Sequence, residues 1–125
     1  MNRVPKEVIA AWENRDGAII FSTVDKKGIP NSIYATCVSR FKENIFVIAD
    51  NYFDKTRNNI LSNNDGAILF ITKEGKAYQM KGSITYHKDG EIFEDMKKWN
   101  PEKHPGHAAV ALSVKEVYSG SSKLL

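Results

Sequence analysis

Apolar positions along this chain recur at two different spacings, and the changes between them divide it into elements. Val4, Val8 and Trp12 recur every four residues with Ile9 beside them, and Pro5 suits a first helical turn. This predicts a short amphipathic helix that stops before Gly17. Ala18 to Val24 is apolar and β-branched and runs into Asp25-Lys26-Lys27-Gly28, so it reads as a strand and a turn. After Pro30 the stretch Asn31 to Val38 alternates, with Ile33, Ala35 and Cys37 on one face and Ser32, Tyr34, Thr36 and Val38 on the other. Lys42-Glu43-Asn44 then turns into Ile45 to Ala49, a short apolar strand of the kind buried on both faces.

The second half repeats these devices. Asp50 to Asp54 is a polar and aromatic loop, and Lys55 to Ser62 carries Ile60 and Leu61 in a short helix with Asp54 as its expected N-cap. Ala67 to Thr72 and Ala77 to Tyr86 form a hairpin about Lys73-Glu74-Gly75. Ile92, Phe93, Met96 and Trp99 fall at helical spacing, so Glu91 to Trp99 is an amphipathic helix ended by Pro101. Ala108 to Tyr118 is the last strand, and the tail Ser119 to Leu125 reads as mobile. Six strands joined mainly by tight turns, with two or three short helices, predict a mainly β, closed or nearly closed antiparallel barrel. A parallel sheet is disfavoured, because crossovers need a dozen residues or more and several of these connections have three or four.

Composition narrows the function. The 125 residues are 42% hydrophobic and 26% charged, which fits one globular domain over residues 1–125 with a core of its own. A net charge of +3 with both signs interspersed argues against a nucleic-acid partner, including an OB-like reading through Tyr34, Tyr52 and Phe53. Apolar runs stay far below the roughly 18 residues of a membrane span. The start, Met1 to Lys6, leads into a segment broken by Glu13, Asn14 and Arg15 rather than an apolar signal centre. With a lone Cys37, these features place the expected location in the cytoplasm.

The segment Asp50 to Arg57 is richest in chemistry. A short strand feeds a polar loop and then a helix whose first turn holds Lys55, Thr56 and Arg57. Unpaired first-turn N–H groups and the positive end of the helix dipole favour an anion such as phosphate. The same run also fits a solvated helix face, and Asp54 as N-cap would use some of those donors. His87, His104 and His107 lack partners at metal-ligand spacing, so no metal is expected. His107, just before the last strand, is a candidate pocket residue; Cys37 reads as a small inward-packing hydrophobe. Ser22 and Ser32 lack a nucleophile elbow.

The order of these features resembles the FMN-binding split-barrel proteins related to pyridoxamine 5'-phosphate oxidase. The likeness rests on Asp25, Gly28 and Pro30 around the first turn, the hydroxyl-bearing strand Ser32 to Thr36, the Lys55-Thr56 helix start, the strand Tyr78-Gln79-Met80-Lys81-Gly82 and a closing apolar strand. It implies a six-stranded antiparallel split β-barrel of Greek-key type. It also implies that Lys55 and Thr56 hold the flavin phosphate, with Arg57 as an alternative one position on. Tyr34, Ala35 and Thr36, with Ala49, Asp50 and Asn51, match the positions that contact the flavin ring, and Gln79 matches one that reaches the flavin or its phosphate.

The resemblance implies a homodimer with FMN at the subunit interface and an oxidoreductase using it for hydride or electron transfer with a small-molecule or protein partner. The alternative is a non-catalytic FMN-binding or electron-carrier module, and haem or a deazaflavin replaces FMN in other relatives. Two departures stand out. Asn31 to Thr36 contains no basic residue where the oxidase has a phosphate-binding arginine, and the chain ends at Leu125 without the region that supplies vitamin contacts. The expectation is therefore a relative of the oxidase that does not act on pyridoxamine phosphate.

Overall fold

The structure is a computed structural model and describes residues 3–125; Met1 and Asn2, part of the polar start, lie outside the described residues. In chain order the elements are α1 (Lys6–Glu13), β1 (Ile19–Val24), β2 (Pro30–Ala35), β3 (Val38–Phe41), β4 (Ile45–Asp50) and α2 (Lys55–Ser62). They continue as β5 (Asp65–Ile71), β6 (Ala77–His87), α3 (Gly90–Trp99), β7 (Ala108–Ser119) and β8 (Ser122–Lys123). The strands form one antiparallel sheet in the order β2-β1-β5-β6-β7-β4-β3, with β8 added to β7.

The two ends of that path are neighbours in sequence, because only Thr36 and Cys37 separate β2 from β3. The sheet must therefore curl until its edges approach, and the opening between them is the split of the barrel. The Ala49 N–H donates to the Cys37 carbonyl at 3.0 Å and ties the connection to β4.

Inside the curl, Phe21, Phe46, Ile48, Ile68, Met80 and Leu112 are buried together. α1 adds Val8 and Trp12 to the same core, as its four-residue spacing predicts. The Trp12 ring meets Phe46 and Phe70 edge-on at centroid distances of 4.8 and 5.3 Å. A second cluster lies on the other face of β4 and β7, where Val47, Ala49, Ala109 and Ala111 are covered by Met96, with Phe93 and Trp99 half-buried against them. This explains why Ile45 to Ala49 carries no polar alternation: one face meets the barrel interior and the other meets α3.

Among the described residues eight strands form rather than six. Val38 begins a new strand instead of ending the one before it, because the chain bends at Thr36 and Cys37 and Val38 pairs with Ile48. The tail is ordered, since Ser122–Lys123 pairs with β7, the Leu124 N–H reaches the Val117 carbonyl at 2.8 Å and Leu125 packs against the core. Asp54 stands at the N-cap position of α2 but makes no side-chain capping bond.

Candidate functional site

Residues from three segments meet at the split. β2 is an edge strand, paired only with β1, so the backbone groups along its other edge are not taken up by the sheet. Beside it, β4 ends in the loop Asn51–Asp54, which delivers the chain to the first turn of α2. The Asn31 amide donates to Thr56 Oγ1 at 3.0 Å and the Asn59 amide to Thr23 Oγ1 at 3.0 Å, so α2 is pinned to β2 and β1. The third segment is the loop between α3 and β7.

Together these enclose an open cavity of about 500 Å³. Its wall takes in every residue from Asn31 to Cys37, together with Ala49, Asn51 to Thr56 and His104. Consecutive residues of a strand line a cavity when its edge, rather than one face, looks into it. Tyr34, Ala35, Thr36, Ala49, Asn51, Lys55 and Thr56 are thus brought to one wall.

The other expected site residues stand elsewhere. Asp50 is fully buried behind the wall, where Arg57 Nε donates to its Oδ2 at 2.7 Å and Arg57 Nη2 to its Oδ1 at 2.9 Å. The Tyr86 hydroxyl donates to Oδ2, and the Phe53 N–H donates to Oδ1 at 3.1 Å. Burial pushes the Asp50 carboxyl up; the bonds from Arg57, Tyr86 and Phe53 outweigh it and hold the carboxyl below its ordinary value. The hydrogen bond to Asp50 raises Arg57, and burial followed by the Asp50 bond raises the Tyr86 phenol. Arg57 is therefore committed to Asp50 and is not among the cavity-lining residues. Gln79 sits half-buried on β6 between Leu69 and Tyr118, away from the cavity wall.

Lys55 is exposed at the cavity and, among the described residues, makes no ion pair. Thr56, 2% exposed, presents its hydroxyl beside the Asn31 amide. No side chain caps α2, so its first-turn N–H groups, on the turn that carries Lys55, are not taken up by a capping side chain. That corner suits an anion, and the strand edge beside it offers donors and acceptors to a flat polar ring.

Asn31 and His104 are among the cavity residues that a reading of the sequence alone passes over. Asn31 follows a proline like any turn-flanking polar residue, and only its phase with Ile33 and Ala35 marks it as inward. His104 lines the cavity, with Nδ1 3.0 Å from the Tyr52 hydroxyl, whereas His107 is exposed and absent from the wall. No group of three or more His, Cys, Asp or Glu side chains able to hold a metal occurs among the described residues. None of their helices is long and apolar enough to cross a membrane.

Comparison with known proteins places this architecture. The family described as pyridoxamine 5'-phosphate oxidase matches residues 5–120. An uncharacterised protein of Methanocaldococcus jannaschii is 32% identical over 123 residues, covering 94% of this chain and 80% of that protein. Among solved structures, HupZ of Group A Streptococcus shares the fold with a TM-score of 0.82 at 24% identity, over 96% of both chains. An FMN-binding protein from Syntrophomonas wolfei follows at 0.77 and 16% identity, covering 90% of this chain and 83% of that one. The fold also occurs in HutZ, a heme storage protein of Vibrio cholerae, at 0.69 and 15% identity over 94% and 95% of the two chains.

Proposed function

Because the chain belongs to the pyridoxamine 5'-phosphate oxidase family, we propose that its cavity binds FMN and that it is an oxidoreductase working through that flavin. The observation that carries this reading is one cavity joining an uncapped, lysine-bearing helix start to the free edge of a strand. Its size lies within the roughly 300–1,000 Å³ of small-molecule sites. Lys55, the Thr56 hydroxyl and the first-turn N–H groups would hold the phosphate, with the Asn31 amide alongside. The edge from Tyr34 to Thr36 would meet the polar rim of the ring, and Ala49 would give it an apolar surface. Bound FMN supplies hydride or electron transfer, and the chain's own task is to bind and orient it.

We extend the proposal to a homodimer. Tyr34 and Tyr52 line the cavity yet are 77% and 71% exposed, so its outer side lacks a covering surface that a second copy would provide.

The test is a flavin titration followed by absorbance and fluorescence, with FMN and riboflavin in parallel. Lys55→Ala is expected to weaken FMN by about 1.5–3 kcal/mol, the worth of a hydrogen bond to a charged group. Riboflavin, which has no phosphate, should bind the variant nearly as well as the parent. A protein that stays colourless in excess FMN overturns the reading, and an intense Soret band in the purified protein would replace it with haem. A yellow protein without reductase activity would leave the electron-carrier alternative.

A further inference from the structure

The cavity has a second polar corner, built by two loops that lock together. The side-chain amides of Asn51 and Asn100 exchange hydrogen bonds, Asn51 Nδ2 to Asn100 Oδ1 at 3.1 Å and Asn100 Nδ2 to Asn51 Oδ1 at 2.9 Å. The Gly106 N–H donates to Asn51 Oδ1 at 2.9 Å, and the His107 N–H to the Asp50 carbonyl at 2.8 Å. The three bonds to the asparagine side chains are buried, so the loop from Asn100 to His107 has a fixed position against the loop that enters α2. His104 rides on it, and its own N–H closes a turn onto the Pro101 carbonyl at 3.0 Å. Its Nδ1 lies 3.0 Å from Tyr52 Oη, with the two rings edge to face. Among the described residues no protein group bonds its Nε2.

Histidine is the side-chain type whose charge ordinarily changes between pH 5 and 8. The other ionisable groups lining the same cavity are Tyr52 and Asp54 in the opposing loop, Lys55 on α2, and Tyr34 and Cys37 from the β2 region. Glu102, Lys103 and His107 accompany it on its own loop, and Lys97 of α3 donates to the Pro105 carbonyl at 3.1 Å.

We propose that His104 is the proton-carrying contact of this cavity: Tyr52 occupies Nδ1, and Nε2–H donates to the carbonyl edge of a heteroaromatic ring bound against β2. The inference rests on the flavin reading and adds a residue to it. A donor facing carbonyl oxygens is stronger as imidazolium, so ring binding favours one added proton on His104 and tightens as pH falls.

Riboflavin is the probe, since it lacks a phosphate that titrates in the same range. Its affinity for the full chain is expected to rise severalfold from pH 8 to pH 5.5, because a charged donor strengthens the hydrogen bond to the ring carbonyl. In His104→Asn, which keeps a hydrogen-bond donor but does not titrate, the pH dependence should vanish, with the largest loss of affinity against the parent at pH 5.5. By NMR, saturating riboflavin should raise the His104 titration midpoint, and Tyr52→Phe should change its ring-nitrogen shifts in the free protein. Identical pH profiles for the parent and His104→Asn, or a midpoint unmoved by riboflavin, would overturn the inference and leave the flavin site standing. Failure of the parent to bind either flavin removes both.

Discussion

Asp50 is buried without exposure, and at the residue scale it decides which cation of the helix start is free. A carboxylate out of water must be paired and hydrogen-bonded, and Arg57, Tyr86 and the Phe53 N–H supply those bonds. Removing Arg57 leaves that charge short of its strongest partner. Arg57→Ala is therefore expected to cost ~3 kcal/mol in urea unfolding at pH 7, the lower end for a broken buried pair, because the Arg57 side chain is 34% exposed. The sign with pH follows from the lowered Asp50 carboxyl. Its contribution is complete above the ordinary carboxylate range and is lost as pH falls through the lowered folded value. The gap between Arg57→Ala and the parent should thus narrow in acid, and a constant gap would contradict the pairing account. The sequence places both Lys55 and Arg57 in the first turn, with Arg57 as the alternative to Lys55. What separates them is an acid seven positions before Arg57 whose burial depends on pairing with β7.

At the scale of elements, strand edges and loop contacts govern the site. β6 bulges between Lys81 and Gly82 where it pairs with β7, and a Cβ on Gly82 would lie 2.0 Å from the Ser113 carbonyl oxygen. Backbone cannot yield as a flexible side chain does. Gly82→Ala is expected to destabilise the fold by ~1–3 kcal/mol or more, read as a lower midpoint in thermal or urea unfolding. Unchanged stability would mean that the two strands approach less closely than the structure shows. Strand β1 and the helices α1 and α3 are legible because each buries one stripe or face, whereas β4 and much of β7, covered on both faces, show as unbroken apolar runs. β3 is not legible: Val38-Ser39-Arg40-Phe41 mixes polarities and all four residues are half-buried. The two-residue β8 carries no pattern at all, and it forms because Leu124 and Leu125 find the core.

At the scale of the whole molecule, the proposed dimer makes a direct prediction. Sedimentation should give twice the 14.1 kDa of one chain, and Tyr34→Ser should shift the population toward monomer and weaken FMN binding together. A monomer that binds FMN fully would separate the cavity from any partner. The amino-acid pattern by itself determined an antiparallel barrel with short helices, because periodicity and turn residues act over a few neighbouring positions. Only the tertiary structure decided that Arg57 serves Asp50, that Gln79 stands apart and that His104 rather than His107 reaches the cavity. Those outcomes depend on pairing and packing between segments tens of residues apart, such as Asp50 with Ala108 and Gln79 with Tyr118, which form only in the folded sheet.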